Sequence, residues 1–201
     1  MNAAFVSGFL LSFSLILAIG PQNAFVLRQG LLKQHVFSVA FFCALSDIIL
    51  ILLGVFGFGT IISNFDSFSQ YMFLIGGLWL SGYGILRLKG AYVADSFLEA
   101  TNEGESDLKL VLTNCAVLTW FNPHVYIDTL ILIGTVSIQF EDTIQFGLGA
   151  CIASVLFFFS LAYGARVITP LMSSKKAWQI LDVMIALVMF ILSYSMFLEA
   201  F

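Results

Sequence analysis

The sequence predicts an all-α integral membrane protein: six transmembrane helices forming two inverted three-helix repeats, with helices 1 and 4 broken at prolines. Three observations lead there. The 201 residues are 60% hydrophobic and 10% charged, with a mean hydropathy of +1.02, whereas an ordinary soluble domain has about 45–50% apolar and about 25% charged residues. Six apolar runs, near 4–27, 36–62, 69–88, 110–135, 143–168 and 177–199, each approach the roughly 17–25 residues that a helix needs to cross a hydrocarbon core. A polar stretch divides them three and three, giving one domain over 1–201: repeat 1 at about 1–88, an acidic loop at about 89–108 and repeat 2 at about 109–201.

The first run starts almost at Met1 with no basic segment before it, and leads into "AIGPQNAF" (18–25) instead of a small-residue cleavage site. We therefore expect no removed signal peptide. Pro21 lies inside this run, where a proline removes a backbone donor and clashes with the preceding turn. Gly20 eases the break, because the residue before a proline avoids helical angles and glycine tolerates the alternatives. Gln22 and Asn23 add amides at the same level.

Helix 2 carries Asp47 in an otherwise apolar stretch, and an acid at such a depth costs roughly 2.5–3.5 kcal/mol on insertion scales, which marks it as functional by default. Helix 3 carries Gly76, Gly77, Gly82 and Gly84, which suit close helix packing or a homodimer face. The loop after it holds Asp95, Glu99, Glu103, Glu105 and Asp107 and supplies most of the net charge of −4. Such a segment is expected as a solvated linker, or more sharply as an antechamber that concentrates cations.

Helix 4 contains "FNPHVYID" (121–128), the second proline break, with Asn122, Pro123 and His124 at the break. Asp128 follows His124 at i+4, so the two are expected on one face and able to pair; with histidine titrating near neutrality, that pair is the natural proton site. Helix 6 carries a third acid, Asp182, a turn or so from its start. It is either a coupling group or a structural partner of Lys176 or Arg166. Cys43, Cys115 and Cys151 show no paired spacing and are read as small apolar residues, with no disulfide, metal site or cofactor. The 22 phenylalanines are read as lipid-facing or packing residues.

All eight basic residues fall in three alternate connections: Arg28 and Lys33; Arg87, Lys89 and Lys109; Arg166, Lys175 and Lys176. Because Lys and Arg are retained in the cytoplasm, these connections are expected inside and both termini outside. Arg28 is read as a snorkelling anchor. Paired interruptions at corresponding places of inverted halves point to the midplane site of a secondary transporter.

Three segments carry a family resemblance: "GPQNAFVLRQGL" (20–31), "ALSDIIL" (44–50) and "TWFNPHVYIDTLILIG" (119–134). They resemble the signature segments of the lysine exporter (LysE) family, in its lysine/arginine exporter branch, and the similarity covers essentially the whole chain. The resemblance implies efflux of basic amino acids across a bacterial inner membrane, driven by proton gradient or membrane potential. Substrate-binding candidates are then Pro21, Gln22, Asn23, Asp47, Asn122, Pro123, His124 and Asp128, with His124, Asp128 and Asp182 as coupling candidates. Open helix ends would hold the carboxylate and α-ammonium, and Asp47 or Asp128 the side-chain cation.

The expected partners are the basic amino acid, the bilayer and a second copy of the chain, with no nucleic acid. An exporter of neutral amino acids such as homoserine or threonine is the rival, but it gives no reason for several buried acids beside the breaks. A membrane enzyme or thiol carrier would need a nucleophile with a base, a metal cluster or a cysteine pair. A channel would need filter repeats. None of these is spelled out.

Overall fold

The computed structural model describes residues 3–18, 20–57, 66–93 and 107–200, and every regular element among them is helical. In chain order these are α1 (Ala3–Ile16), α2 (Pro21–Leu32), α3 (Val36–Val55), α4 (Asp66–Val93), α5 (Leu108–Trp120), α6 (Pro123–Ser137), α7 (Thr143–Ile168) and α8 (Lys175–Ala200). Three spans are long and apolar enough to cross a membrane: α3, α7 with its 3-10 extension to Met172, and α8. Two more arise if α1 with α2, bent by 80°, and α5 with α6, bent by 62°, each count as one. α4 has the length, at 28 residues, but Gln70, Ser81, Arg87 and Lys89 dilute its apolar character. It also continues to Val93, so the expected loop from 89 begins as helix. Asp95, Glu99, Glu103 and Glu105 of the acidic stretch lie outside the described residues; Asp107 caps α5 by accepting the Lys109 N–H at 3.0 Å.

The surface is apolar and the interior holds the polar groups. Leu10, Phe37, Phe41, Ile152, Leu156, Ile191 and Leu198 are exposed, while Gln22, Arg28, Asp47, Asn122, Ser154 and Asp182 are buried. A water-soluble monomer rarely exposes such continuous apolar area. This is the exterior of a multi-pass membrane protein.

With no hydrophobic drive between helices in lipid, close approach of small residues holds such a bundle together. A Cβ on Gly8 of α1 would sit 2.0 Å from the Phe146 carbonyl of α7, and one on Gly149 of α7 would sit 2.1 Å from the Phe5 carbonyl of α1. The two backbones therefore touch at reciprocal glycines. Gly54 of α3 and Gly134 of α6 do the same. α4 and α8 lie along one another, and α4's glycines serve that contact: Gly77 faces Phe197 and Gly84 faces Phe190, while Gly76 abuts the Phe121 carbonyl. Of the four glycines expected to permit a homodimer, only Gly82 has open space beside it.

Candidate functional site

The first span is interrupted at Pro21 as expected, and the proline stands at the start of the helix that follows the break. Gly20 is extended (φ −108°, ψ 174°) and Pro21 is the first residue of α2, where its missing N–H costs nothing. α1 ends at Ile16, and its last carbonyls are capped across the gap: the Asn23 Nδ2 donates to Ile16 O at 2.7 Å and to Ala18 O at 2.9 Å. The second break has the same plan with different residues. Pro123 starts α6, the Asn122 Oδ1 accepts the His124 N–H at 3.2 Å, and the Tyr126 hydroxyl donates to the Trp120 carbonyl at the end of α5 at 2.8 Å. Orphan backbone groups at helix ends must find partners when water is absent; here two amides and a phenol supply some of them and backbone turns supply others.

α6 is wound irregularly. After one α-turn, Tyr126–Leu132 is π-helical before α-geometry resumes at Ile133. The consequence is a change of face. At about 3.6 residues per turn, His124 and Ile133 would lie some two and a half turns apart, on opposite sides; the wider π-turn brings His124, Asp128 and Ile133 to one surface.

That surface bounds a cavity of about 270 Å³, near the lower end of the roughly 300–1,000 Å³ typical of small-molecule pockets. α1 contributes Leu15 and Ile16, the first break Gly20, Pro21, Gln22 and Asn23, and α3 Asp47. The second break and α6 add Asn122, His124, Asp128 and Thr129, while α7 gives Phe158 and α8 gives Leu192 and Ser195. Seven of the eight substrate-binding candidates meet here. No lysine or arginine lines the space.

Asp47 is 2% exposed, and its Oδ2 accepts the Ser154 hydroxyl of α7 at 3.0 Å. Asp128 is half-buried on the facing helix. A buried carboxylate needs a paired charge or hydrogen bonds, and among the described residues no cation pairs with either acid.

Four expectations need correction. Pro123 does not face Pro21 across the cavity; it is buried toward α4, its Cδ 3.4 Å from where a Gly76 Cβ would stand. His124 and Asp128 share the cavity face that their i+4 spacing implied, but no hydrogen bond or ion pair joins them; the histidine ring lies edge-on to Phe73, centroids 5.9 Å apart, and its buried Nε2 has no hydrogen bond. Asp182 is outside the cavity and pairs with neither Lys176 nor Arg166; its Oδ1 lies 3.8 Å from Arg28 Nε and 3.7 Å from an Arg87 terminal nitrogen. Arg28 accordingly does not snorkel, being buried against that acid.

Sequence reasoning passed over Ser154, Tyr126, Thr129 and Ser195. Tyr126 lay inside a quoted motif, but its hydroxyl bond runs backward across the break. Ser154 is a single hydroxyl in an apolar stretch and Ser195 one of three in succession, Ser193, Tyr194 and Ser195, with no pattern to single either out. Cys43 and Cys115 also meet, their thiol sulfurs 3.3 Å apart, a contact that no spacing signals.

Comparison with known proteins gives a consistent picture. A family model described as "LysE type translocator" matches residues 13–199. The chain is 36% identical over 199 residues to the "Arginine exporter protein ArgO" of Yersinia enterocolitica, covering 98% of this chain and 97% of that one. It is 38% identical over 192 residues to the protein of the same name from Serratia proteamaculans, covering 94% and 93%. No solved structure matches.

Proposed function

The chain belongs to the LysE type translocator family, and from that premise we propose that it exports basic L-amino acids, arginine and lysine, across the bacterial inner membrane. It is a transporter, not an enzyme. The observation that carries the substrate class is the pair of carboxylates on one small cavity, Asp47 from the first half and Asp128 from the second, with no lysine or arginine among the described residues that line it. Free arginine or lysine brings two cations and one carboxylate. Two aspartates and an open helix N-terminus are the complement of that set, whereas a neutral amino acid would leave one acid uncompensated.

Energy coupling follows from the same charges. Moving one cation outward against an inside-negative potential costs about 2.3 kcal/mol per 100 mV, so inward proton movement in exchange offsets it. Asp47, Asp128 and His124 are the titratable groups on the cavity wall. An acid that releases the substrate cation outside takes a proton in its place, and antiport results.

The proposed architecture is six spans in two inverted repeats, with α4 as the sixth span. Reciprocal packing supports it: α2 lies on α7 while α6 lies on α3, and the last helices of the two halves, α4 and α8, pair together. With both termini outside, Lys33, Lys89, Lys109, Arg166, Lys175 and Lys176 remain on three cytoplasmic connections after Arg28 and Arg87 are assigned to Asp182. One observation favours a second reading. α1 and α2 are only 14 and 12 residues long, about 21 and 18 Å, and bend by 80°, which also fits a re-entrant pair with the N-terminus inside. Reporter fusions at both ends separate the two: Met1 and Phe201 both outside for six spans, Met1 inside and Phe201 outside for the re-entrant pair.

Efflux of preloaded labelled arginine, lysine and threonine, from cells with and without the protein, tests the substrate class. Arginine and lysine are expected to leave faster and threonine not; acceleration of threonine alone would reject the proposal.

A further inference from the structure

Asp47 and Asp128 stand on different helices from different halves of the chain, so packing alone sets the distance between them. For a substrate with two cations that distance matters, because it must match the separation of the α-ammonium from the side-chain charge. Two connections join α3 to the second broken span, and along the chain both acids lie between them. The first is backbone against backbone: Gly54 of α3 meets Leu130 and Gly134 of α6, with no room for a Cβ on either glycine.

The second connection is Trp120, the last residue of α5. Its indole N–H donates to the Ser46 hydroxyl of α3 at 3.2 Å, and its carbonyl accepts the Tyr126 hydroxyl of α6 at 2.8 Å. The Tyr126 ring also stands edge-on to the indole, centroids 6.5 Å apart. Each end of this bridge lies beside an acid. Ser46 precedes Asp47, and successive helical residues point about 100° apart, so Ser46 is held by Trp120 while Asp47 reaches the cavity. Tyr126 opens the π-helical stretch that carries Asp128. An indole has only two side-chain torsions, and a hydrogen bond on its N–H fixes where the ring can go. Ser46, Trp120 and Tyr126 do not line the cavity, so whatever they do for the substrate they do through the acids.

We infer that the Ser46–Trp120–Tyr126 bridge is a length gauge: it holds Asp47 and Asp128 at one separation and so selects basic amino acids by the distance between their two cations. The three are positioning residues. The inference rests on the proposed export of basic amino acids and adds what distinguishes one side-chain length from the next.

Equilibrium binding of diaminobutyrate, ornithine, lysine and homolysine to the purified full-length protein tests it, since successive members of this series differ by one methylene. The wild type is expected to bind one member best, with affinity falling about tenfold for each methylene away from it, the lower end of what a methylene is worth in a fitted site. Tyr126→Phe keeps the ring but loses the bond to the Trp120 carbonyl, and Ser46→Ala removes the acceptor of the indole N–H. In both variants the best ligand should weaken while the poorest holds or gains, leaving neighbours in the series within about threefold of each other instead of the discrimination a fitted site gives. Ser46→Thr keeps the hydroxyl and should keep the wild-type profile. A purely structural role predicts the opposite pattern, with all four ligands weakened alike and their ratios unchanged. That result, or a wild type indifferent to length, overturns the inference. Loss of all binding in both variants overturns it too, because a gauge that sets only separation leaves each acid able to hold a cation. Arginine binding by the wild type reports the premise separately: its absence rejects basic amino acid export, whereas arginine bound alongside a flat length profile rejects the gauge alone.

Discussion

Asp47 and Asp182 are buried almost equally, at 2% and 0% exposed, and both lie in apolar helices, yet their surroundings are opposite. Asp47 has a neutral partner, the Ser154 hydroxyl, and borders a cavity that no lysine or arginine lines among the described residues. Asp182 stands between Arg28 and Arg87, and Arg87 also rests over the Tyr83 ring, 5.2 Å from its centroid. The fold answers one negative charge from within and leaves the other facing an empty space. Burial in a membrane thus marks an acid as important, but the counter-charge decides its role. An acid with its own arginines ties helices together, here α2, α4 and α8; one without them is matched to a cation that arrives from outside.

The sharpest way to break this comparison is to neutralise the cavity acids. Asp47→Asn and Asp128→Asn keep shape and hydrogen-bonding capacity but remove the charge that offsets desolvation of guanidinium or ammonium. Losing one partner of a desolvated charge pair costs about 2–5 kcal/mol, so arginine efflux should fall by roughly a hundredfold, while thermal unfolding in detergent stays at or above that of the wild type. Efflux and binding that persist in both variants would refute the ion-pair role. Arginine binding that persists while efflux is lost would instead assign the acids to proton coupling alone.

Neutralising Asp182 should act on the fold instead. Asp182→Asn leaves two arginine side chains without their acid, and breaking a buried pair from one side costs about 3–5 kcal/mol. A second substitution, Arg28→Met, should recover much of that loss by removing a buried cation, whereas the same change in the Asp47→Asn background should recover nothing. Thermal unfolding of the single and double variants decides. If Asp182→Asn is as stable as the wild type but exports poorly, Asp182 belongs with the coupling groups.

How far these differences can be read from the sequence depends on the range of the interactions that produce them. The prolines, the flanking amides and the intramembrane acids are local signals, and they foretold both breaks and seven of the cavity's residues. Asp182 could not be sorted from Asp47, because its partners are about 154 and 95 residues away along the chain and no periodicity connects them. The α6 register was hidden for another reason. An i+4 rule assumes α-geometry, and the π-helical stretch Tyr126–Leu132 sets a different winding, which adds Ile133 to the cavity face that His124 and Asp128 share. Gly76, Gly77 and Gly84 of α4 are the contact points expected of them, but pattern alone did not distinguish a neighbouring helix of the same chain from a second copy.

The finest test of the comparison concerns the neutral partner. If Asp47 is kept ready for an incoming cation, the Ser154 hydroxyl orients the carboxylate without neutralising it, and loss of that hydroxyl should weaken binding but leave the fold intact. Ser154→Ala removes one hydrogen bond to a charged group, worth about 1.5–3 kcal/mol when buried, and part of this is recovered as Asp47 turns toward the substrate or cavity water. Arginine affinity is therefore expected to fall by only about three- to tenfold, well short of the effect of Asp47→Asn. Ser154→Thr keeps the hydroxyl and should restore most of the affinity, provided the added methyl is accommodated against α3. The two substitutions together also separate positioning from packing. If Ser154→Ala lowers thermal stability as much as it lowers affinity, the bond serves mainly to join α7 to α3, and Asp47 would then resemble Asp182 more closely than their different surroundings indicate.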